Sequence, residues 1–279
     1  MSAERLTRFR NGSYTFDVID TGPLDGTPVV LLHGFPQRAT AWSAVAERLH
    51  ERGLRTYAPD QRGYSPGARP RTRFSYRGPS LVSDIEALVE AIGGPVHLVG
   101  HDWGAYVAWC LAGSRPDMVS TLTAISVPHP GAYVRSVLIG NQGPKALYTL
   151  FFNLPYLPEL LLRRRGGLTD RVFRRAGMTP EMVDRFHDEM VDDGALSGGL
   201  GWYRAMFLNV PGDLARTVPV PTTYIWSDGD TALSRKGAEL TERFVSGPYE
   251  LEIYEGASHW LLDERPGDVA ESIAKRVGV

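Results

Sequence analysis

The sequence predicts an α/β chain, a mostly parallel sheet flanked by helices, with a helical insertion. Three observations predict it. Short continuous apolar runs recur between glycines and prolines. Apolar stripes of helical period lie between those runs. From residue 129 to 210 the runs disappear and the texture becomes helical throughout. Strands alternating with helices of this length mean βαβ units and a parallel sheet.

In chain order, residues 14–21 read as an early strand ending at the turn cluster Gly22-Pro23-Leu24-Asp25-Gly26. Val29, Val30, Leu31 and Leu32 then form an unbroken apolar run between Pro28 and Gly34. Such runs suit strands covered on both faces. Residues 55–58, 96–99, 122–125, 222–226 and 251–254 read the same way. Leu81, Ile85, Leu88, Val89 and Ile92 fall on one helix face, as do Ala105, Ala108, Trp109 and Ala112. Val269, Ile273 and Val277 repeat the spacing near the C-terminus. In the middle, Thr179-Pro180-Glu181 is a helix start, with a capping hydroxyl, a first-turn proline and an early acid. Val183, Phe186 and Met190 continue one face. Pro128 and Pro130 open this stretch, and Pro211, Pro219 and Pro221 punctuate its exit. The expected organisation is a core of residues 1–128 and 212–279, with a helical cap at 129–211 lying over the sheet edge. Gly194, Gly198, Gly199 and Gly201 are too irregular for a phosphate loop and are expected in a flexible cap loop that gates entry.

Composition excludes several classes. The chain has 279 residues, 43% hydrophobic and 22% charged, which fits one sizeable core, and 30 basic against 32 acidic residues leave a net charge of −2. That balance gives no footprint for nucleic acid and no polybasic membrane anchor. No apolar stretch approaches the roughly 18 residues of a membrane span. The N-terminal stretch has no apolar core, so no secretory signal is expected, and a cytoplasmic protein is. A single cysteine, Cys110, rules out an intrachain disulfide and a multi-cysteine metal site, and reads as a small core residue. Lysine occurs only at 145, 236 and 275, so arginine supplies nearly all the basic charge, a skew that reads as genome composition. Arg163, Arg164 and Arg165 read as a solvated turn.

The chemistry concentrates at strand ends. After the run ending at Val99 comes Gly100-His101-Asp102-Trp103-Gly104-Ala105, then a helix. Glycines two before and two after a central residue permit a turn tight enough to thrust that residue above the sheet. The helix N-terminus there favours an anion. The central residue is Asp102, and its neighbour His101 reads as packing. Downstream, Asp228 and Asp230 follow the strand at 222–226, and Ser258-His259-Trp260 follows the last strand. His33-Gly34-Phe35-Pro36 follows the run at 29–32, where glycine lets the chain swing an amide toward the elbow. The N–H groups of Phe35 and Trp103 would then form an oxyanion hole.

With Asp60-Gln61-Arg62-Gly63-Tyr64-Ser65, these motifs resemble the aspartate-nucleophile branch of the α/β-hydrolases, which contains epoxide hydrolases and haloalkane dehalogenases. The resemblance runs over essentially the whole chain. It implies the α/β-hydrolase fold, Asp102 as nucleophile, His259 as base and Asp230, ahead of Asp228, as the acid that orients His259. It implies support of the sheet edge by residues 60–65. A carboxylate is a poor nucleophile toward esters and amides but displaces leaving groups at saturated carbon. A halide leaves as a stable anion, whereas an epoxide oxygen leaves as an alkoxide and needs an acid.

The resemblance implies those acids too. Epoxide hydrolases carry one cap tyrosine in a W-Y-R motif, matched by Trp202-Tyr203-Arg204. The other precedes an aromatic run into a proline, matched by Tyr148 before Phe151, Phe152 and Pro155, with Tyr156 as the fallback. Phe35, Trp103, Phe152 and Trp202 are expected to contact substrate. The sequence departs from that family at Gly201, commonly asparagine, and at Asn153, commonly glutamine. It departs from dehalogenases at Phe35, where many hold the halide with asparagine. The variant that acts on fluoroacetate has arginines near the elbow, where Trp103 and Tyr106 stand. The expected activity is therefore opening of a small apolar epoxide by water to a vicinal diol, without metal or organic cofactor, by a monomer or homodimer. Haloalkane dehalogenation by the same residues is the alternative, with a non-catalytic ligand-binding protein behind it.

Overall fold

A computed structural model of the chain describes residues 4–209 and 216–279. Among the described residues, eight strands form one sheet in the order β1-β2-β4-β3-β5-β6-β7-β8. They are β1 (Arg8–Asn11), β2 (Tyr14–Thr21), β3 (Thr27–Leu32), β4 (Leu54–Pro59), β5 (Val96–His101), β6 (Val119–Ile125), β7 (Thr222–Ser227) and β8 (Tyr249–Tyr254). β1 and β2 pair antiparallel, β2 pairs antiparallel with β4, and the rest is parallel.

The unbroken apolar runs are explained by burial on both faces. Val30 and Leu32 pack into one core with α2 (Gly78–Ile92) and α3 (Trp103–Ser114). Val29 and Leu31 point the other way, into a second core with α1 (Ser43–His50) and α13 (Pro266–Val277). Every residue of the run is 0% exposed, so neither face tolerates a polar residue. Two elements had no strong sequence signal. β1 is a four-residue edge strand whose single buried side chain, Phe9, stacks on Phe16 at 4.8 Å. α1 buries only Val45, Ala46 and Leu49, too few to mark a helix face in the sequence.

Between β6 and β7 the described chain is helical: α4 (Pro130–Ile139), α5 (Gln142–Lys145), α6 (Leu147–Phe152), α7 (Leu157–Leu162), α8 (Leu168–Arg175), α9 (Pro180–Phe186), a π-helical turn (His187–Asp192) and α10 (Leu196–Ala205). Thr179 caps α9 through its hydroxyl to the Met182 amide at 3.3 Å. The exit of this segment at Pro211 lies outside the described residues. α11 (Arg235–Thr241) and α12 (Leu261–Glu264) complete the chain. No helix among the described residues is long and apolar enough to cross a membrane.

One expectation is overturned. Gly198, Gly199 and Gly201 do not lie in a flexible loop; they are buried within α10. A Cβ at Gly198 would meet the Gly63 carbonyl oxygen at 2.1 Å, one at Gly199 the Phe35 ring at 2.8 Å, and one at Gly201 the Tyr76 ring at 2.9 Å. The glycines let α10 dock backbone against backbone on the 60–65 loop, and Gly201 gives way to the Tyr76 ring. Residues 60–65 thus support more than the sheet edge: Gly63 adopts φ 94° beneath Gly198, and Arg62 holds the buried Asp84 at 2.6 and 2.7 Å. Gly198→Ala should therefore destabilise by about 1–3 kcal/mol, read as a lower urea midpoint. A loop glycine at that position would leave the midpoint unchanged or raise it.

Candidate active site

The strand order places the site. The connections after β3 and β5 leave toward opposite faces, to α1 and α3, although the two strands are paired through Leu32 and Gly100. Such a divergence opens a crevice at the carboxyl ends of the strands. Phe35 and Asp102 face each other across it.

Asp102 occupies φ 53°, ψ −121° at the N-cap of α3, a strained conformation for a residue with a Cβ. The glycines around it are required by contact. A Cβ at Gly104 would meet the Leu32 carbonyl oxygen at 2.1 Å, one at Gly100 the Gly104 oxygen at 2.4 Å, and one at Gly34 the Asp102 Oδ1 at 2.3 Å. The Phe35 N–H donates to Asp102 Oδ1 at 2.9 Å, and the Trp103 amide also hydrogen-bonds this carboxylate. Burial raises the Asp102 pKa above the usual aspartate range, against the opposing pull of His259 and of both amides.

His259 Nε2 stands 3.7 Å from Asp102 Oδ2, beyond hydrogen-bond reach, and Asp102 borders the cavity described below. On the other side, His259 Nδ1 bonds Asp230 Oδ2 at 2.7 Å. Asp230 Oδ1 accepts from the amides of Ala232 and Leu233 at 2.7 and 2.8 Å. Asp228 instead holds the Gly256 amide at 2.7 Å in an exposed turn, so Asp230 is the acid against the histidine. Burial acts to lower the His259 pKa, but the charge and hydrogen bond of Asp230, with the charge of Asp102, carry it up to about 9. His101 does more than pack. Burial holds it neutral, down at about 3, and its Nε2–H donates to the His259 carbonyl at 3.0 Å, fixing the backbone at His259.

Above Asp102 opens a cavity of about 280 Å³ lined by Trp103, Tyr106, Val127, Leu233, Tyr148 and Tyr203 among others. Tyr203 is 4% exposed, whereas Tyr148 keeps 37% of its surface accessible. Burial pushes both phenols well above the ordinary tyrosine range, and the Asp102 charge pushes in the same direction, so both stay protonated at neutral pH. The Tyr148 ring meets the Tyr203 ring edge-on at 6.0 Å between centroids, and Tyr203 meets Trp103 in the same way at 5.1 Å. Tyr156 is 86% exposed and points away from the cavity, which removes it as a candidate acid.

Three expected wall residues stand elsewhere. Phe35 and Phe152 pack edge-on against Tyr203, at 5.4 and 4.9 Å between centroids, and neither lines this cavity. Trp202 is 1% exposed, donates its indole N–H to the Arg62 carbonyl at 2.7 Å and packs against Tyr64. Phe35 and Phe152 thus back Tyr203, and Trp202 packs against Tyr64 and Trp103. Asn153 adds to this support, donating to the Thr149 and Tyr203 carbonyls at 2.8 and 3.2 Å and so tying α6 to α10. The cavity lining includes Tyr106, Val127 and Leu233, whose positions no local motif marks.

Comparison with known proteins places these features in context. The sequence model of the Alpha/beta hydrolase family matches residues 29–272. The AB hydrolase superfamily protein YfhM of Bacillus subtilis (strain 168) is 37% identical over 270 residues, 93% of each chain. Epoxide hydrolase 3 of Xenopus tropicalis is 32% identical over 278 residues, covering 95% of this chain and 75% of that protein. Among solved structures, an epoxide hydrolase from Vigna radiata matches with a TM-score of 0.80 at 27% identity, over 95% of this chain and 94% of that one.

Proposed function

The chain belongs to the alpha/beta hydrolase family, and from that premise we propose that it is an epoxide hydrolase, opening a small apolar oxirane to a vicinal diol. The observation that carries the reading is the meeting of one carboxylate and two protonated phenols on a single apolar cavity. A halide would need no acid; an alkoxide does. The names of relatives support the same substrate class.

In the proposed reaction Asp102 attacks a ring carbon, the ring C–O bond breaks and an alkyl ester forms, while Tyr148 and Tyr203 hydrogen-bond the departing oxygen and one of them gives it the single proton it needs. His259, oriented by Asp230, takes a proton from water, which attacks the ester carbonyl. The Phe35 and Trp103 amides, already on the carboxylate, stabilise the oxyanion formed there. Residues 129–211 act as a cap that supplies the phenols to a core of 1–128 and 212–279. No metal or organic cofactor enters this scheme, and water is the only co-substrate.

Offering styrene oxide and 1-bromobutane side by side tests the reading. Diol without halide release is the expected result; halide release without diol makes the enzyme a dehalogenase, and turnover of neither makes it a ligand-binding member. Tyr203→Phe and Tyr148→Phe should each slow epoxide turnover roughly 10- to 100-fold, and the pair about 1,000-fold or more, because general acid assistance is worth about 10²–10⁴ in rate. A double variant with unchanged diol formation removes the phenols from the mechanism.

A further inference from the structure

We infer that Gln142 and Lys145, both on α5, form a strut through which the helical segment holds the Asp230 loop, which makes them positioning residues for the step that His259 performs. The inference rests on the two-step reading above and adds residues to it.

The Asp230 carboxylate is aimed by its own backbone, since Oδ1 is taken by the amides of Ala232 and Leu233 while Oδ2 faces His259. The segment between β7 and α11 has no helix or strand ladder, so its main-chain groups need other partners. Four of them go to two side chains of α5. Lys145 Nζ donates to the carbonyls of Asp230 and Leu233 at 2.6 and 3.0 Å. Gln142 Nε2 donates to the Ala232 carbonyl at 2.8 Å, and its Oε1 accepts from the Ser234 amide at 2.8 Å. Gln142 is 1% exposed, so these bonds are made out of water.

The residue type carries a second argument. The chain uses arginine for nearly all its basic residues, and its other lysines, Lys236 and Lys275, pair with surface glutamates. Lys145 instead bridges two carbonyls on one loop. A compact ammonium with three rotatable donors can do so, whereas a planar guanidinium fork suits a carboxylate.

The same stretch also reaches the cavity. Leu233, at the end of the loop that the strut holds, lines the cavity, and Tyr148 follows Lys145 by three residues. Tyr148 stands on α6, outside the strut, whose bonds all go to the loop of the acid that orients the base. Asp102 is held separately, by the ends of β3 and β5 and the start of α3. Loosening α5 should thus disturb hydrolysis of the ester more than its formation.

The test compares Lys145→Met and Gln142→Leu with the conservative Lys145→Arg in single turnovers of styrene oxide. It also follows the downfield His259 Nδ1–H proton resonance in the enzyme without substrate. Lys145→Met should slow ester hydrolysis roughly 10- to 100-fold, leave alkylation close to the parent rate, and let the alkyl-enzyme accumulate in intact-mass spectra. The resonance should move upfield or broaden, and Lys145→Arg should recover part of each effect. An unchanged resonance in the folded Met and Leu variants overturns the strut, as does equal slowing of both half-reactions. If even His259→Gln traps no adduct, it is the two-step reading that fails, and the resonance alone then decides the strut.

Discussion

Asp102→Ala is expected to lower epoxide turnover by about 10⁴-fold or more, equivalent to roughly 5.5 kcal/mol of barrier. The size follows from the geometry. The elbow presents one carboxylate to the cavity, held by the Phe35 and Trp103 amides, and the amides alone cannot form a bond to carbon. Alanine keeps a Cβ in the same left-handed conformation, so the strain at φ 53° is common to both chains and the variant should fold. Circular dichroism checks this. A second readout needs no substrate. Burial lowers the His259 pKa, and the charges of Asp230 and Asp102 raise it to about 9. Removing Asp102 deletes one of the raising contributions, so His259 should titrate lower in the variant by NMR. Turnover within about tenfold of the parent would leave Asp102 without its role.

The parts of this site that a reader of the sequence can find are those in which chain geometry forces a residue type. Gly100, Gly104 and Gly34 are glycines because a Cβ at each would overlap backbone or the Asp102 carboxylate. The spacing is therefore a direct imprint of the turn. The runs at β3 and β5 were legible for a similar reason, since strands with helices on both faces admit no polar position. β1 was not legible, because an edge strand buries one side chain in two and Arg8, Arg10 and Asn11 stay outside that core.

Other features were written in a code that sequence does not resolve. The glycines of α10 carry the composition of a loop, and only contact with Gly63, Phe35 and Tyr76 shows that they serve close helix packing. The W-Y-R motif located Tyr203 on the cavity, but the tryptophan beside it turns inward to Arg62, because neighbouring residues on a helix face different directions. Lys145 reaches Asp230, and Gln142 reaches Ala232 and Ser234, across more than 80 residues, so no window around the triad contains them. The lysine positions were visible all along as a departure from an arginine-rich background, without a clue to which one mattered.

His259→Gln should stop the reaction halfway, cutting turnover by roughly 10³–10⁴-fold while a covalent adduct accumulates on Asp102. The mass of that adduct separates the two leaving groups. Ring opening is an addition, so an epoxide adds its whole mass, whereas a haloalkane adds its alkyl group less the halogen. The parent enzyme should show the matching pH behaviour. In the free enzyme His259 titrates at about 9 and is mostly protonated at neutral pH, where it pairs with the Asp102 charge. Alkylation neutralises Asp102, which leaves Asp230 alone to oppose the lowering effect of burial, so the His259 pKa falls in the intermediate. Neutral imidazole is the base, and the hydrolytic half-reaction should therefore accelerate as pH rises and level off above a midpoint lower than about 9. Stopped single turnovers across pH measure that midpoint, and NMR titration of His259 gives the free-enzyme value. A midpoint equal to or above the free-enzyme value would mean that the Asp102 charge survives the first step, and hence that no ester forms.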